Sequence, residues 1–97
     1  MRILKNKIER NVCKTLGFNY GKITNSGSEA IKYCLINAKI KKGTYVIVPV
    51  TICKSVVDVI LEYGCFPVFV DVDQDFCLNI SDVVNKNTDD ISAVIYV

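Results

Sequence analysis

Apolar residues recur along this chain with two different periods, and the periods alternate. Leu4, Ile8, Val12 and Leu16 return every fourth position with charged residues between them, which predicts an amphipathic helix ending near Gly17. Lys22–Asn25 reads as a short strand leading into the turn Ser26-Gly27-Ser28. After the turn, Ala30, Ile31, Cys34, Leu35 and Ala38 mark one face of a second helix that stops before Gly43. Tyr45-Val46-Ile47-Val48 is a continuous β-branched apolar run, the pattern of a strand covered on both faces. Val56, Val57, Ile60 and Leu61 predict a third helix closed by Gly64. Pro67-Val68-Phe69-Val70 reads as a second buried strand and Ala93-Val94-Ile95-Tyr96-Val97 as a third. Between these two, residues 79–86 predict a short helix with Asn79 or Ser81 as its cap.

Strands that alternate with helices in this way imply right-handed crossovers and a mainly parallel sheet flanked by helices, an α/β fold. The pattern shows no linker, repeat or low-complexity segment. It breaks off on Val97, inside an apolar strand, where a finished domain would cover both faces. The expectation is a truncated domain whose open strand edges promote association and whose isolated stability is marginal.

Composition narrows the class. At 97 residues the chain has room for one domain, and 51% hydrophobic against 23% charged residues excludes a disordered or fibrous chain. A net charge of +2 is too weak and too interspersed for a nucleic-acid footprint. The absence of His removes the usual general base and the commonest metal ligand. Cys13, Cys34, Cys53, Cys65 and Cys77 form no CxxC pair and are odd in number, which suits reduced thiols in a cytoplasm; each is read first as a small packed hydrophobe. Charges break the first residues, Met1 to Lys7, so no signal peptide is expected. Pro49 and Pro67 interrupt the best apolar stretches, far short of the about 20 residues a membrane span needs. A soluble, cytoplasmic protein that engages neither membrane nor nucleic acid is the reading.

Three groups of residues carry possible chemistry. In Asn25-Ser26-Gly27-Ser28-Glu29, free N–H groups at a helix start could hold an anion, with Gly27 allowing close approach and Ser28 adding a hydroxyl. The other reading is an ordinary cap, by Ser26 or Ser28, with Glu29 favourable in the first turn. Pro49–Cys53 follows a buried strand, at the edge where open α/β sheets place their ligands, so Cys53 either lines a site or packs inertly. Asp71-Val72-Asp73 lies at the same edge; the pair could hold a metal or a hydroxyl, or cap the turn that follows, and the capping reading is preferred for want of a third ligand.

Taken together, the spacing resembles the DegT/DnrJ/EryC1/StrS family of sugar aminotransferases, enzymes that use pyridoxal 5'-phosphate (PLP) on the fold-type-I scaffold. The resemblance rests on Ser26-Gly27-Ser28-Glu29-Ala30-Ile31, Gly43, Val48-Pro49, Gly64 and Pro67-Val68-Phe69-Val70-Asp71-Val72-Asp73, with no gap from Ser26 to Asp73. Residues 1–22 are similar to the family's leading helix more loosely. An unrelated flavodoxin-like binder fits less well, because its phosphate loop would follow the first long buried strand.

The resemblance implies that residues 1–97 are the truncated N-terminal part of the large domain. It implies that Gly27, Ser28 and Glu29 belong to the turn whose amides hold the cofactor phosphate, Ser28 keeping the hydroxyl of a more usual Thr. Cys53 stands where many relatives set an aromatic ring against the pyridine, and Ile52 where Thr is frequent. The family's cofactor-binding lysine and the acid paired with the pyridine nitrogen lie beyond Val97, so this chain alone is expected to be inactive; a dehydratase branch replaces that lysine. The complete enzyme would be a homodimer that takes a nucleotide-linked keto-sugar and an amino-acid donor, for polysaccharide or antibiotic-sugar synthesis. The alternative is a non-catalytic remnant that serves as a phosphate-binding or interaction domain.

Overall fold

The structure, a computed structural model, describes residues 2–96; Val97, the last residue of the expected third strand, lies outside them. Seven elements follow one another: α1 (Arg2–Leu16), α2 (Gly27–Asn37), β1 (Tyr45–Pro49), α3 (Lys54–Tyr63), β2 (Phe66–Val70), α4 (Ile80–Lys86) and β3 (Ile91–Val94). The three strands form one parallel sheet in the order β2-β1-β3. The chain therefore steps outward from β1 to β2, then returns across β1 to β3. Crossovers of one hand must then place α3 and α4 on opposite faces. Packing agrees. On one face Val46, Val48, Val56, Ile60 and Cys65 form a core that also receives Ile31 of α2. On the other, Ile47, Val70 and Leu78 pack with Val83 of α4.

β1 is the central strand, and Val46 to Pro49 are all buried, as its β-branched run predicts. α3 lays Val56, Val59 and Ile60 on the sheet and ends at Gly64, whose φ of 105° is a left-handed conformation that side-chain-bearing residues resist. Asn79 caps α4: its side-chain oxygen accepts the Asp82 N–H at 3.1 Å.

Four expectations are corrected. Lys22–Asn25 is not a strand, because Ile23 gives its N–H to Glu9 Oε2 (3.1 Å) and so ties the segment to α1. β2 starts at Phe66 and is only partly covered, Val70 alone being buried, because it is an edge strand of this sheet. An edge is also where Pro67 is tolerated. β3 starts at Ile91, two residues before the apolar run, and Ile95 N–H still reaches Ile47 O at 2.8 Å beyond its last residue. The apolar stripe of α1 faces outward: Leu4, Ile8, Val12 and Leu16 are 56%, 41%, 47% and 64% exposed, while Cys13 is the buried residue of that helix.

Candidate functional site

The N-termini of α2 and α3 meet at one edge of the sheet. Tyr63, the last residue of α3, donates its hydroxyl to Ile40 O just after α2, and Gly43 N–H donates to Gly64 O (2.7 Å). Both helices thus end together at the edge where β1 begins. Their first turns, Ser26–Glu29 and Cys53–Val56, accordingly lie at the carboxyl edge of β1, where α/β sheets bind ligands.

The turn before α2 is built as a reciprocal cap. Ser26 has extended backbone, and its Oγ accepts the Glu29 N–H at 3.1 Å. Glu29 Oε2 reaches back to the Asn25 N–H at 3.3 Å, and Thr24 Oγ1 donates to Ser26 O at 2.8 Å. This is the Ser-x-x-Glu logic of a capping box displaced by one residue at its return bond. Ser26, not Ser28, is the cap. Ala30 N–H closes the first helical bond onto Ser26 O (3.0 Å). Two amides of the first turn, those of Gly27 and Ser28, have no acceptor within the helix by construction, and none is found among the described residues. A Cβ built at Gly27 would meet nothing within 4 Å, so the space in front of the turn is open, and the Ser28 side chain stands half-buried beside it. A pair of free amides, a helix dipole and an adjacent hydroxyl fit the phosphate end of PLP.

Cys53 occupies the N-cap position of α3, makes no side-chain cap bond and is exposed. Expecting it to pack inertly is therefore wrong here, and wrong also for exposed Cys34; Cys13 and Cys65 do pack as small hydrophobes. Neighbouring Ile52 turns inward onto the α2–α3 core, where a Thr hydroxyl would lose its water. Asp73 is a turn cap: its Oδ1 accepts the N–H groups of Asp75 (2.8 Å) and Cys77 (3.1 Å). Asp71 donates its N–H to Asp82 Oδ2 (2.8 Å), a bond that holds the Asp82 carboxyl below its usual range, with Lys86 adding a smaller share. The sequence reading missed this lock between β2 and α4. Spacing carries no signal for it, because the two acids are eleven residues apart. A broad open cleft lies elsewhere, between α1 and residues 18–21, lined by Arg10, Cys13 and Tyr20.

An α/β layer whose sheet edge gathers two helix starts, one of them with free amides, defines a cofactor- or anion-binding class of protein. The family model of the DegT/DnrJ/EryC1/StrS aminotransferases matches residues 4–97, and the chain belongs to that family. The match takes in α1 as well as the region from Ser26 onward. Among solved structures the chain is similar to the GDP-4-keto-6-deoxy-D-mannose-3-dehydratase of E. coli, which holds hydrated PLP: 26% identity, TM-score 0.85, 94% of this chain and 25% of that one. It is also similar to a DegT DnrJ EryC1 StrS aminotransferase from Brucella abortus, at 25% identity and TM-score 0.76 over 94% of this chain and 26% of the other. NtdA from Bacillus subtilis, with bound PMP, shares the fold at TM-score 0.88 and 24% identity, over 94% of this chain and 21% of its own. The present chain spans about a quarter of the length of these proteins. Its sheet and helices match part of the fold-type-I PLP enzymes. Among the described residues no helix is long and apolar enough to cross a membrane.

Proposed function

We propose that this chain supplies the phosphate side of the cofactor site of a PLP-dependent sugar aminotransferase, as the N-terminal part of its large domain. One observation carries the reading: Gly27 and Ser28 present free amides into open space at the carboxyl edge of β1, in a chain of a family whose solved relatives hold PLP or PMP. When bound, PLP supplies the electron sink for amino-group transfer.

The chain's own residues bind and orient. The Gly27 and Ser28 amides and the Ser28 hydroxyl hold the phosphate oxygens. Glu29 fixes the turn from behind through Asn25, its own amide being engaged by Ser26. Cys53 lines the same edge with a small thiol in place of a ring. No Lys here stands where the family's cofactor-binding lysine does, so residues 1–97 hold the cofactor end without completing the reaction. In the complete homodimeric enzyme the substrates are a nucleotide-linked keto-sugar and an amino-acid donor, the sugar class being suggested by the GDP-linked substrate of the dehydratase relative.

Equilibrium dialysis of PLP against the chain, together with phosphorus NMR of the bound cofactor, tests the reading. Binding is expected to weaken about tenfold in Ser28→Ala, as the loss of one hydrogen bond to a charged group predicts, and to vanish in Gly27→Asp, with no absorbance from a lysine-linked cofactor at any stage. PLP binding that both substitutions leave unchanged would overturn it. Binding that responds to both, in a protein that gains no transaminase activity when the rest of the gene product is supplied, would favour a phosphate-binding remnant.

A further inference from the structure

The near-neutral total charge hides a division along the chain. Residues 1–42 carry ten Lys or Arg against two Glu, whereas residues 43–97 carry two Lys against eight Asp or Glu. Each half also exposes an apolar surface. On the basic side it is the ridge of α1, Leu4, Ile8, Val12 and Leu16, continued by Phe18 at 67% exposure. Beside this ridge stand Lys7, Arg10 and Lys14, while the helix's one acid, Glu9, is engaged with the Ile23 amide. On the acidic side, Ile80 and Val84 lie one turn apart on α4, each 67% exposed, with Phe76 on the preceding turn. Asp73, Asp75, Asp89 and Asp90 are exposed on the segments that flank α4.

α1 is also set apart mechanically. The main packing joins β1 to β2 and β3, α2 to α3, and α3 and α4 to β2, whereas α1 rests on residues 18–23 through Cys13 and Glu9. It is an arm with an uncovered apolar ridge. A like-with-like pairing of two such arms would bring Lys7, Arg10 and Lys14 against their own copies, and like charges at an interface cost several kcal/mol. The α4 surface offers the opposite charge together with apolar side chains.

We infer that α1 of one copy docks on the α4 surface of a second copy, its ridge against Phe76, Ile80 and Val84 and its basic flank against the aspartates around α4. Such a contact joins different surfaces of the two copies, so it propagates head to tail instead of closing as a symmetric pair. It draws on charge division and exposure alone and stands apart from the cofactor reading.

Sedimentation and light scattering of the chain across a salt series test it. Wild type is expected to associate reversibly at low ionic strength and to dissociate as salt shortens the screening length below about 10 Å. Arg10→Glu/Lys14→Glu and, separately, Asp89→Lys/Asp90→Lys should each be monomeric with unchanged circular dichroism. Mixed in equal amounts, the two variants should associate again, because each then offers the other a complementary surface. A monomeric wild type at low salt would overturn the inference. So would association that Asp89→Lys/Asp90→Lys leaves intact, since that is the result of arm-to-arm pairing, and so would failure of the mixture to reassociate.

Discussion

α1 and α3 have nearly the same amphipathic pattern and opposite fates. α3 presents Val56, Val59 and Ile60 to the sheet, and Ile60 is fully buried. α1 presents four apolar residues in register, all exposed, and turns Cys13 inward instead. The pattern determines that a segment is helical, because side chains four apart share a face. It does not determine what that face meets. α3 sits between two parallel strands, so a sheet lies under it by topology. α1 precedes the sheet and is held only by the loop that follows it.

The largest expected effect tests this contrast directly. Ile60→Ala should lower stability by about 2–5 kcal/mol, since the cavity forms in a packed core, whereas Ile8→Ala should stay within about 0.5 kcal/mol. Denaturant titration of the two variants compares them, and equal losses would show that α1 is covered in solution. Next comes the attachment of α1. A Cβ at Gly21 would fall 2.5 Å from Cys13 Sγ, so Gly21→Ala should cost about 1–3 kcal/mol by overpacking. Cys13→Ala in the same chain should recover part of that loss, and a double-mutant cycle reads the coupling.

Smaller still is the difference between the two helix starts at the carboxyl edge. α2 has a side-chain cap and α3 has none. Ser26→Ala should therefore cost about 1 kcal/mol, and Cys53→Ala close to nothing, in the same titrations. The smallest effect is on acid stability. Asp82 is held below its ordinary value of 3.8 chiefly by the Asp71 N–H. A lowered carboxyl contributes stability above its unfolded value and loses it as pH falls through the folded one. Asp82→Asn should flatten the stability profile below about pH 4, measurable by denaturation at a series of acid pH values, and leave the neutral plateau less affected than Ile60→Ala does.

Much of the architecture was legible because short-range physics decides it. β-branched runs such as Val46-Ile47-Val48 prefer strands, Gly64 terminates a helix by its left-handed backbone, and Asn79 caps one from outside. The candidate site was legible at the same level: Ser26 and Glu29 stand three apart, the spacing of a reciprocal cap. Which amides remain free was not, because that depends on where each donor goes. Ser26 Oγ takes the Glu29 N–H and so leaves the pair at Gly27 and Ser28.

Sequence by itself therefore determined the alternation of helices and strands, the helix ends and the family. Tertiary structure decided the rest. A strand exists only where another strand bonds to it, so Lys22–Asn25 lost its strand to the Glu9 carboxylate while Ile91 joined β3 by pairing with Tyr45. Burial depends on what lies opposite, so Pro67–Val70, apolar throughout, is half open at the edge of a sheet and Val46–Pro49, no more apolar, is sealed at its centre. Local propensity acts within a turn or two of the chain; coverage is a property of neighbours distant in sequence, and only the folded arrangement supplies them.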